Sequence, residues 1–243
     1  MDAFSLFPDA RKGLPDALVA AVRTRATVVK AQAGRTLVSP DLWSTNVYIV
    51  AQGRVQVALL SSVGHEVILR DLRVGDLFGE LSAIDQKPRS ASIFTLNACV
   101  LISVPGSVFC EYVFATPPSS AWLAGRLAAQ IRDLTVKVFE LNALRVPGRL
   151  HCELLRLCGT LANDTDPPVI DPSPTHAELA SRIGTHREAV TREMGFLVER
   201  KIILQQRRRL TVLNLTALAK LVHSAAGQTG SEVLLSRAGP FAT

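Results

Sequence analysis

The alternation of apolar and polar positions changes character twice along the chain. Residues 14–22, with Leu18, Val19 and Val22 apolar and Pro15 in the first turn, predict a short helix. From residue 26 to residue 104 the apolar positions form short runs rich in Val, Ile and Thr, at 27–29, 47–50, 55–60, 67–72, 92–95 and 99–104. Gly34, Gly53, Gly64 and Gly75 interrupt them, which is the punctuation expected of antiparallel strands in a sandwich or barrel. Pro117-Pro118-Ser119-Ser120 then breaks the pattern, and Ser119 or Ser120 is placed to cap a long helix running to residue 144. Within it Ala124, Leu127, Ile131, Leu134, Val138 and Leu141 recur at alternating steps of three and four, the seam of a coiled coil. A helix lying on a globular core is the other reading. Against it, Arg126, Gln130, Arg132, Asp133, Lys137 and Glu140 crowd both sides of a narrow stripe.

Val146-Pro147-Gly148-Arg149 marks a boundary, with Pro147 ending the long helix and Gly148 allowing a hinge. Beyond it Leu150, Leu154, Leu155, Leu157 and Leu161 predict a short amphipathic helix, followed by a polar loop over residues 163–174 containing four prolines. Thr175 three residues before Glu178, and Thr185 three before Glu188, repeat the capping-box spacing on either side of Gly184. Leu179, Ala180 and Ile183 line the first of these helices, and Val190, Met194 and Leu197 the second. Two capped helices joined by a glycine turn are the sequence form of a helix-turn-helix. Residues 202–204 and 210–213 bracket Gln205-Gln206-Arg207-Arg208-Arg209, a hairpin with a basic tip. Asn214 is placed to cap a last helix through Val222, and residues 224–243 form a tail without a motif.

Composition narrows the function classes. A chain of 243 residues, 48% hydrophobic, holds two modest domains. Its 27 Lys and Arg against 21 Asp and Glu favour an anionic partner without locating it. Cys99, Cys110, Cys152 and Cys158 are too scattered for a disulfide framework, a zinc site or an iron–sulfur site, so buried free thiols are expected. No apolar stretch is long enough for a bilayer and no basic leader precedes one, which predicts a cytoplasmic protein without a membrane partner. His151, His176, His186 and His223 have no nucleophile or metal pair beside them, so no enzyme, catalytic residue, metal site or resident cofactor is expected.

Two stretches carry chemistry. Around residues 78–92, Gly79 permits close backbone approach, Glu80 can accept from hydroxyls, and Arg89 with Ser90 offers a charged fork beside a neutral donor. These groups complement a cyclic nucleotide, although a solvated turn with a surface ion pair has the same residues. At about 100° per residue, Arg187, Glu188, Thr191 and Arg192 share one sector of the second capped helix, away from its apolar side. Arg can pair with guanine and Glu can accept from cytosine, so this sector can read a major groove. A solvated Arg/Glu ladder is the alternative.

The first stretch resembles the phosphate-binding cassette of cyclic-nucleotide-binding domains, Phe-Gly-Glu-aliphatic, a spacer, then Arg and a small residue, here Phe78-Gly79-Glu80-Leu81 and Arg89-Ser90. With the paired helices, the whole chain resembles the CRP/FNR family of transcription regulators. The resemblance implies an α+β chain: an N-terminal antiparallel β-roll at 1–118, a dimerisation helix at 119–146, a C-terminal winged helix-turn-helix at 147–223 and a tail at 224–243. Gly79, Glu80, Leu81, Arg89 and Ser90 would bind the cyclic nucleotide, cAMP ahead of cGMP. In the family, two polar residues of the dimer helices reach the base; here the positions hold Leu134 and Thr135, and Leu134 departs from the family's Thr. Leu127, Ile131, Leu134, Val138 and Leu141 would form the homodimer seam. DNA contacts fall to Thr175, His176, His186, Arg187, Glu188, Thr191 and Arg192, with Arg208 and Arg209 of the wing on phosphates. The implied partners are double-stranded DNA with a two-fold symmetric site, half-sites of TGTGA or TTGAT type, and RNA polymerase. A regulator active without ligand, or answering another effector, is the alternative. Haem or iron–sulfur sensing lacks ligands, since no cysteine precedes Cys99 and His65 belongs to a surface turn.

Overall fold

The computed structural model describes residues 3–61, 65–163 and 166–235, and so leaves Gly64 and the last eight residues of the tail outside the described residues. It divides into two compact units, Met1–Gln130 and Ile131–Thr243.

The first unit begins with helix α1 (Ala3–Leu6), a 3-10 turn (Pro8–Arg11) and helix α2 (Asp16–Arg25). Pro15 stands just ahead of α2, at its N-cap, so the helix lies two to three residues beyond the expected 14–22. Eight strands follow: β1 (Thr27–Ala31), β2 (Thr36–Val38), β3 (Val47–Gln52), β4 (Val55–Leu60), β5 (Glu66–Leu72), β6 (Leu77–Phe78), β7 (Ser92–Thr95) and β8 (Cys99–Val104). They form two antiparallel sheets, β1-β8-β3-β6 and β2-β7-β4-β5. Helix α3 (Glu80–Asp85) interrupts the strands after β6, and α4 (Gly106–Val113) follows β8.

Strand periodicity explains the uninterrupted apolar runs of β3 and β8. Val47, Ile49, Ile102 and Val104 join one core with Leu18, Val22 and Phe109 of α2 and α4. Val50, Cys99 and Leu101 point the other way, into a second core with Val55, Leu72, Phe78 and Ile93. Successive side chains of a strand take opposite faces, so a sheet covered on both sides needs apolar residues at every position.

The long helix α5 (Pro117–Ala143) begins earlier than either serine cap would have it. Pro117 and Pro118 occupy its first positions, where an N–H has no helical partner to lose. The cap is therefore Thr116, whose Oγ1 accepts from the Ser119 amide at 3.4 Å. Leu123 is buried and Leu127 packs beside it on the first unit's core, so Leu127 is engaged within its own unit. Farther along, Ile131, Leu134, Val138 and Leu141 are 65, 51, 59 and 38% exposed.

The second unit contains the end of α5, α6 (Val146–Leu161), β9 (Ala162–Asn163), β10 (Val169–Ile170), α7 (His176–Ile183), α8 (Arg187–Glu199), β11 (Ile203–Gln206), β12 (Arg209–Val212) and α9 (Leu215–Leu235). Pro147 lies in the first turn of α6, so it starts the next helix instead of ending α5, and only Leu144 and Arg145 separate the two. The proline-rich segment expected as a loop supplies β10, which pairs with β12 and β9. Leu150, Leu154, Leu179, Ile183, Val190, Leu197, Leu210 and Leu218 make one core.

The N-terminal capping box of α7 forms in both directions: Thr175 Oγ1 accepts from the Glu178 amide and Glu178 Oε2 accepts from the Thr175 amide. The second expected box does not form. The Thr185 amide donates to the Ala180 carbonyl, closing the turn after α7, and His186 becomes the N-cap of α8 without a side-chain cap bond. Gly184 takes the left-handed conformation at that turn. Asn214 caps α9 through Oδ1, which accepts from the Ala217 amide, and the helix runs on to Leu235, well into the expected tail.

Two of the polar residues expected beside the seam of α5 turn toward α6 instead, Glu140 buried and Lys137 half-buried. Glu153 of α6 is 3% exposed and lies 3.9 Å from Lys137 Nζ and 3.5 Å from Arg182 Nη1. Arg156 pairs with both Glu153 and Glu140, and Lys137 Nζ also donates to the Arg182 carbonyl. Burial would push the Glu153 carboxyl up, but Arg156, Lys137 and Arg182 together hold it below the usual carboxylate range.

Candidate functional site

The first site is built where β6 passes into α3. Gly79 has φ +90°, and a Cβ there would stand 2.5 Å from Arg89 Nη1 and 2.6 Å from the Asn46 carbonyl oxygen. Only glycine meets both demands, left-handed backbone and close approach. Glu80 opens α3, is 4% exposed, and its Oε1 accepts from Gln130 Nε2 at 3.0 Å. One carboxylate oxygen is thus tied to α5 within the first unit, and the other accepts no hydrogen bond among the described residues.

Arg89 is 5% exposed. Its Nη1 donates to the Gly79 carbonyl at 2.9 Å, and its Nη2 donates to the Asn46 carbonyl at 2.7 Å and to Ser44 Oγ at 3.2 Å. Its Nε is buried without a hydrogen-bond partner, and among the described residues no carboxylate forms an ion pair with it. Burial lowers the guanidinium's pKa from its ordinary value, opposed by Tyr48 and Glu80. A buried cation held by neutral carbonyls, with a donor to spare, is a site that gains from an anion. Ser90 and Leu81 are exposed. Leu134 is half exposed in the second unit, where Thr135 Oγ1 donates to the Ile131 carbonyl. Ser44, Asn46 and Gln130 carry no motif and escape sequence reasoning, although Gln130 sits one helical turn before Leu134.

The second site is the exposed face of α8. Arg187, Glu188, Thr191 and Arg192 are all exposed, opposite buried Val190, Met194 and Leu197. Among the described residues, Arg187, Glu188 and Arg192 side chains have no hydrogen-bond or ion-pair partner, so none is held back from a ligand. His186 and Thr175 are also exposed. His176 differs: its Nδ1 lies 2.9 Å from Thr191 Oγ1, and its Nε2 lies 3.1 Å from Gln205 Nε2 and 3.3 Å from Gln205 Oε1. The wing turn is shorter than expected, only Arg207 and Arg208 between paired Gln206 and Arg209, with Arg207 at φ +47°. Arg209 stands 3.8 Å from Asp171, and both are exposed.

Among the described residues no cluster of three metal-ligating side chains occurs, and no helix is long and apolar enough to cross a membrane. His65 is exposed, and Cys99, Cys152 and Cys158 are buried free thiols with Cys110 half-buried.

Comparison with known proteins identifies the domain in which each candidate site lies. Residues 28–115 match the cyclic nucleotide-binding domain family and residues 148–221 the Crp-like helix-turn-helix domain family. The cAMP-activated global transcriptional regulator CRP of Haemophilus influenzae is 28% identical over 181 residues, 74% of this chain and 81% of that protein. A CRP-like cAMP-activated global transcriptional regulator of Mycobacterium tuberculosis is 25% identical over 190 residues, covering 78% and 85%. These relatives are transcription regulators, not enzymes. In fold, the chain is similar to FixK2 from Bradyrhizobium japonicum, with TM-score 0.71 at 19% identity over 81% of this chain and 96% of that one. A CRP/FNR-family regulator from Thermus thermophilus gives TM-score 0.66 at 24% identity, over 82% and 100%. With a cyclic-nucleotide-binding β-roll ahead of a Crp-like reading head, this DNA-binding chain belongs to the CRP/FNR family of transcription regulators.

Proposed function

We propose that the chain works as a homodimer whose affinity for a two-fold symmetric DNA site is set by a cyclic nucleotide, cAMP ahead of cGMP. The observation that carries this reading is Arg89, buried, unpaired by any described carboxylate and left with an orphan Nε. Arg89 and Ser90 hold the cyclic phosphate, Gly79 leaves room for it, and the free oxygen of Glu80 takes the ribose hydroxyl. Gln130, bonded to Glu80, gives α5 a stake in that occupancy. Ile131, Leu134, Val138 and Leu141 supply the apolar seam for a second copy, and Arg187, Glu188 and Arg192 face the groove. The ligand regulates only by favouring the DNA-competent arrangement over the other.

A second reading, a dimer active when empty, is supported by Leu134, an apolar seam residue where a base contact belongs. Calorimetric titration with cAMP and with cGMP, and with Arg89→Ala as control, separates the two. Saturable heat with one nucleotide, lost in the variant, supports effector control; no heat from either supports the ligand-free reading. Sedimentation analysis tests the dimer, which Leu134→Glu should dissociate.

A further inference from the structure

Among the side chains on the groove-facing side of α8, Thr191 has its polar group committed within the protein. Its hydroxyl donates its one hydrogen to the Arg187 carbonyl at 3.0 Å. The His176 ring approaches the same oxygen with Nδ1 at 2.9 Å. Since the hydroxyl hydrogen is already spent, Nδ1 carries the proton and donates. Nε2 of that neutral ring is then an acceptor; of the two Gln205 side-chain atoms beside it, the amide nitrogen at 3.1 Å supplies the donor and Oε1 lies at 3.3 Å. These bonds run from Gln205 on β11, through His176 at the start of α7, to Thr191 and Arg187 on α8; the other tautomer, with the Thr191 hydroxyl on Nδ1 and Nε2–H on Gln205 Oε1, keeps the hydroxyl hydrogen within the protein as well.

This arrangement leaves Thr191 without a hydrogen for a base acceptor and draws its oxygen toward His176. Its uncommitted group is the methyl, on an exposed position between Glu188 and Arg192. We propose that Thr191 reads DNA through this methyl group, packed against the C5-methyl of a thymine, and that His176 is the positioning residue that turns the hydroxyl away from the groove. The inference rests on α8 being the DNA-reading helix. Methyl contact selects thymine over both cytosine and uracil, whereas a hydroxyl contact has no means to tell thymine from uracil. The one lone pair left on Oγ1 accepts only from an amino group, an alternative that thymine-to-uracil exchange also separates.

The test uses the full chain. Duplexes are selected from a randomised library with and without cAMP, each thymine of the enriched half-site is replaced by deoxyuridine, and affinity is read by fluorescence anisotropy. At one position the exchange should weaken wild-type binding about fourfold, the worth of one buried methyl group. Thr191→Val keeps that sensitivity, and Thr191→Ser, which retains the hydroxyl, loses it. His176→Ala removes the contact that holds Oγ1 away from the groove and shrinks the effect, and His176→Asn, whose amide can replace the Nδ1 contact, restores it. Absence of any enrichment removes the reading face and this inference together. Enrichment without a uracil-sensitive thymine, or a Thr191→Ser variant as sensitive as wild type, overturns the methyl readout alone.

Discussion

Each unit buries an arginine, and the two are treated in opposite ways. In the second unit Arg182, 7% exposed, faces Glu153, which Arg156 and Lys137 also approach, and Glu140 completes a network of three cations and two carboxylates. In the first unit the Nη groups of Arg89 have, among the described residues, only two backbone carbonyls and a serine hydroxyl. Desolvation penalises both, but only the network of the second unit answers it with opposite charge. The difference carries the proposed function: a charge matched inside the protein holds elements together, whereas an unmatched one suits an anionic partner.

The largest effect expected from this contrast is on stability of the second unit. Glu153→Gln leaves Arg156, Lys137 and Arg182 short of their central carboxylate and should cost about 3–5 kcal/mol in urea unfolding; a cost near zero would make the network a solvated surface. Next comes Arg89→Ala, which should lower nucleotide affinity by about 2–5 kcal/mol. Its cost to folding should be smaller, about 1–3 kcal/mol for the carbonyls of Gly79 and Asn46 that lose their donor. If Arg89→Ala cost as much stability as Glu153→Gln and no affinity, the two arginines would be alike and the comparison would fail. Gly79→Ala should cost about 1–3 kcal/mol of stability from its left-handed backbone and the crowding of Arg89, and should weaken nucleotide binding with it.

The smallest effect comes from a matched pair. His151 is buried with Nε2 2.7 Å from Glu193 Oε1 and Nδ1 unpartnered. Burial pushes its pKa below the ordinary value, with Glu193 opposing. A ring that resists its proton when folded stabilises the unit above the unfolded pKa of about 6.5. That contribution is lost as pH falls from there through the lower folded value. Unfolding free energy of the wild type should therefore decline over that window, and His151→Gln should flatten the decline; an unchanged slope would mean that His151 takes up its proton alike in the folded and unfolded chain.

Much of the fold is legible in the sequence because strands bounded by glycine and rich in β-branched residues announce themselves; the runs at 55–60, 92–95 and 99–104 have the observed limits. Helix α3 is not legible: six residues between left-handed Gly79 and Gln86 are too few to show a period. Lys137 and Glu140 look like flanks of the seam because spacing tells which residues share a face, not which face another helix covers. Pro147 suggests a helix end, but its missing N–H is equally at home in a first turn. At the cassette the residue types point to a phosphate, but the grip of Ser44 and Asn46 on Arg89 links positions more than forty residues apart, beyond any local pattern.

An anion seated on Arg89 should govern DNA binding by the reading head of the second unit. Fluorescence anisotropy of the full chain on its selected duplex, titrated with cAMP or cGMP, measures that coupling directly. One nucleotide is expected to raise DNA affinity in the wild type and to leave Arg89→Ala unchanged. Equal affinity with and without either nucleotide, or a response that survives in Arg89→Ala, would contradict control through Arg89.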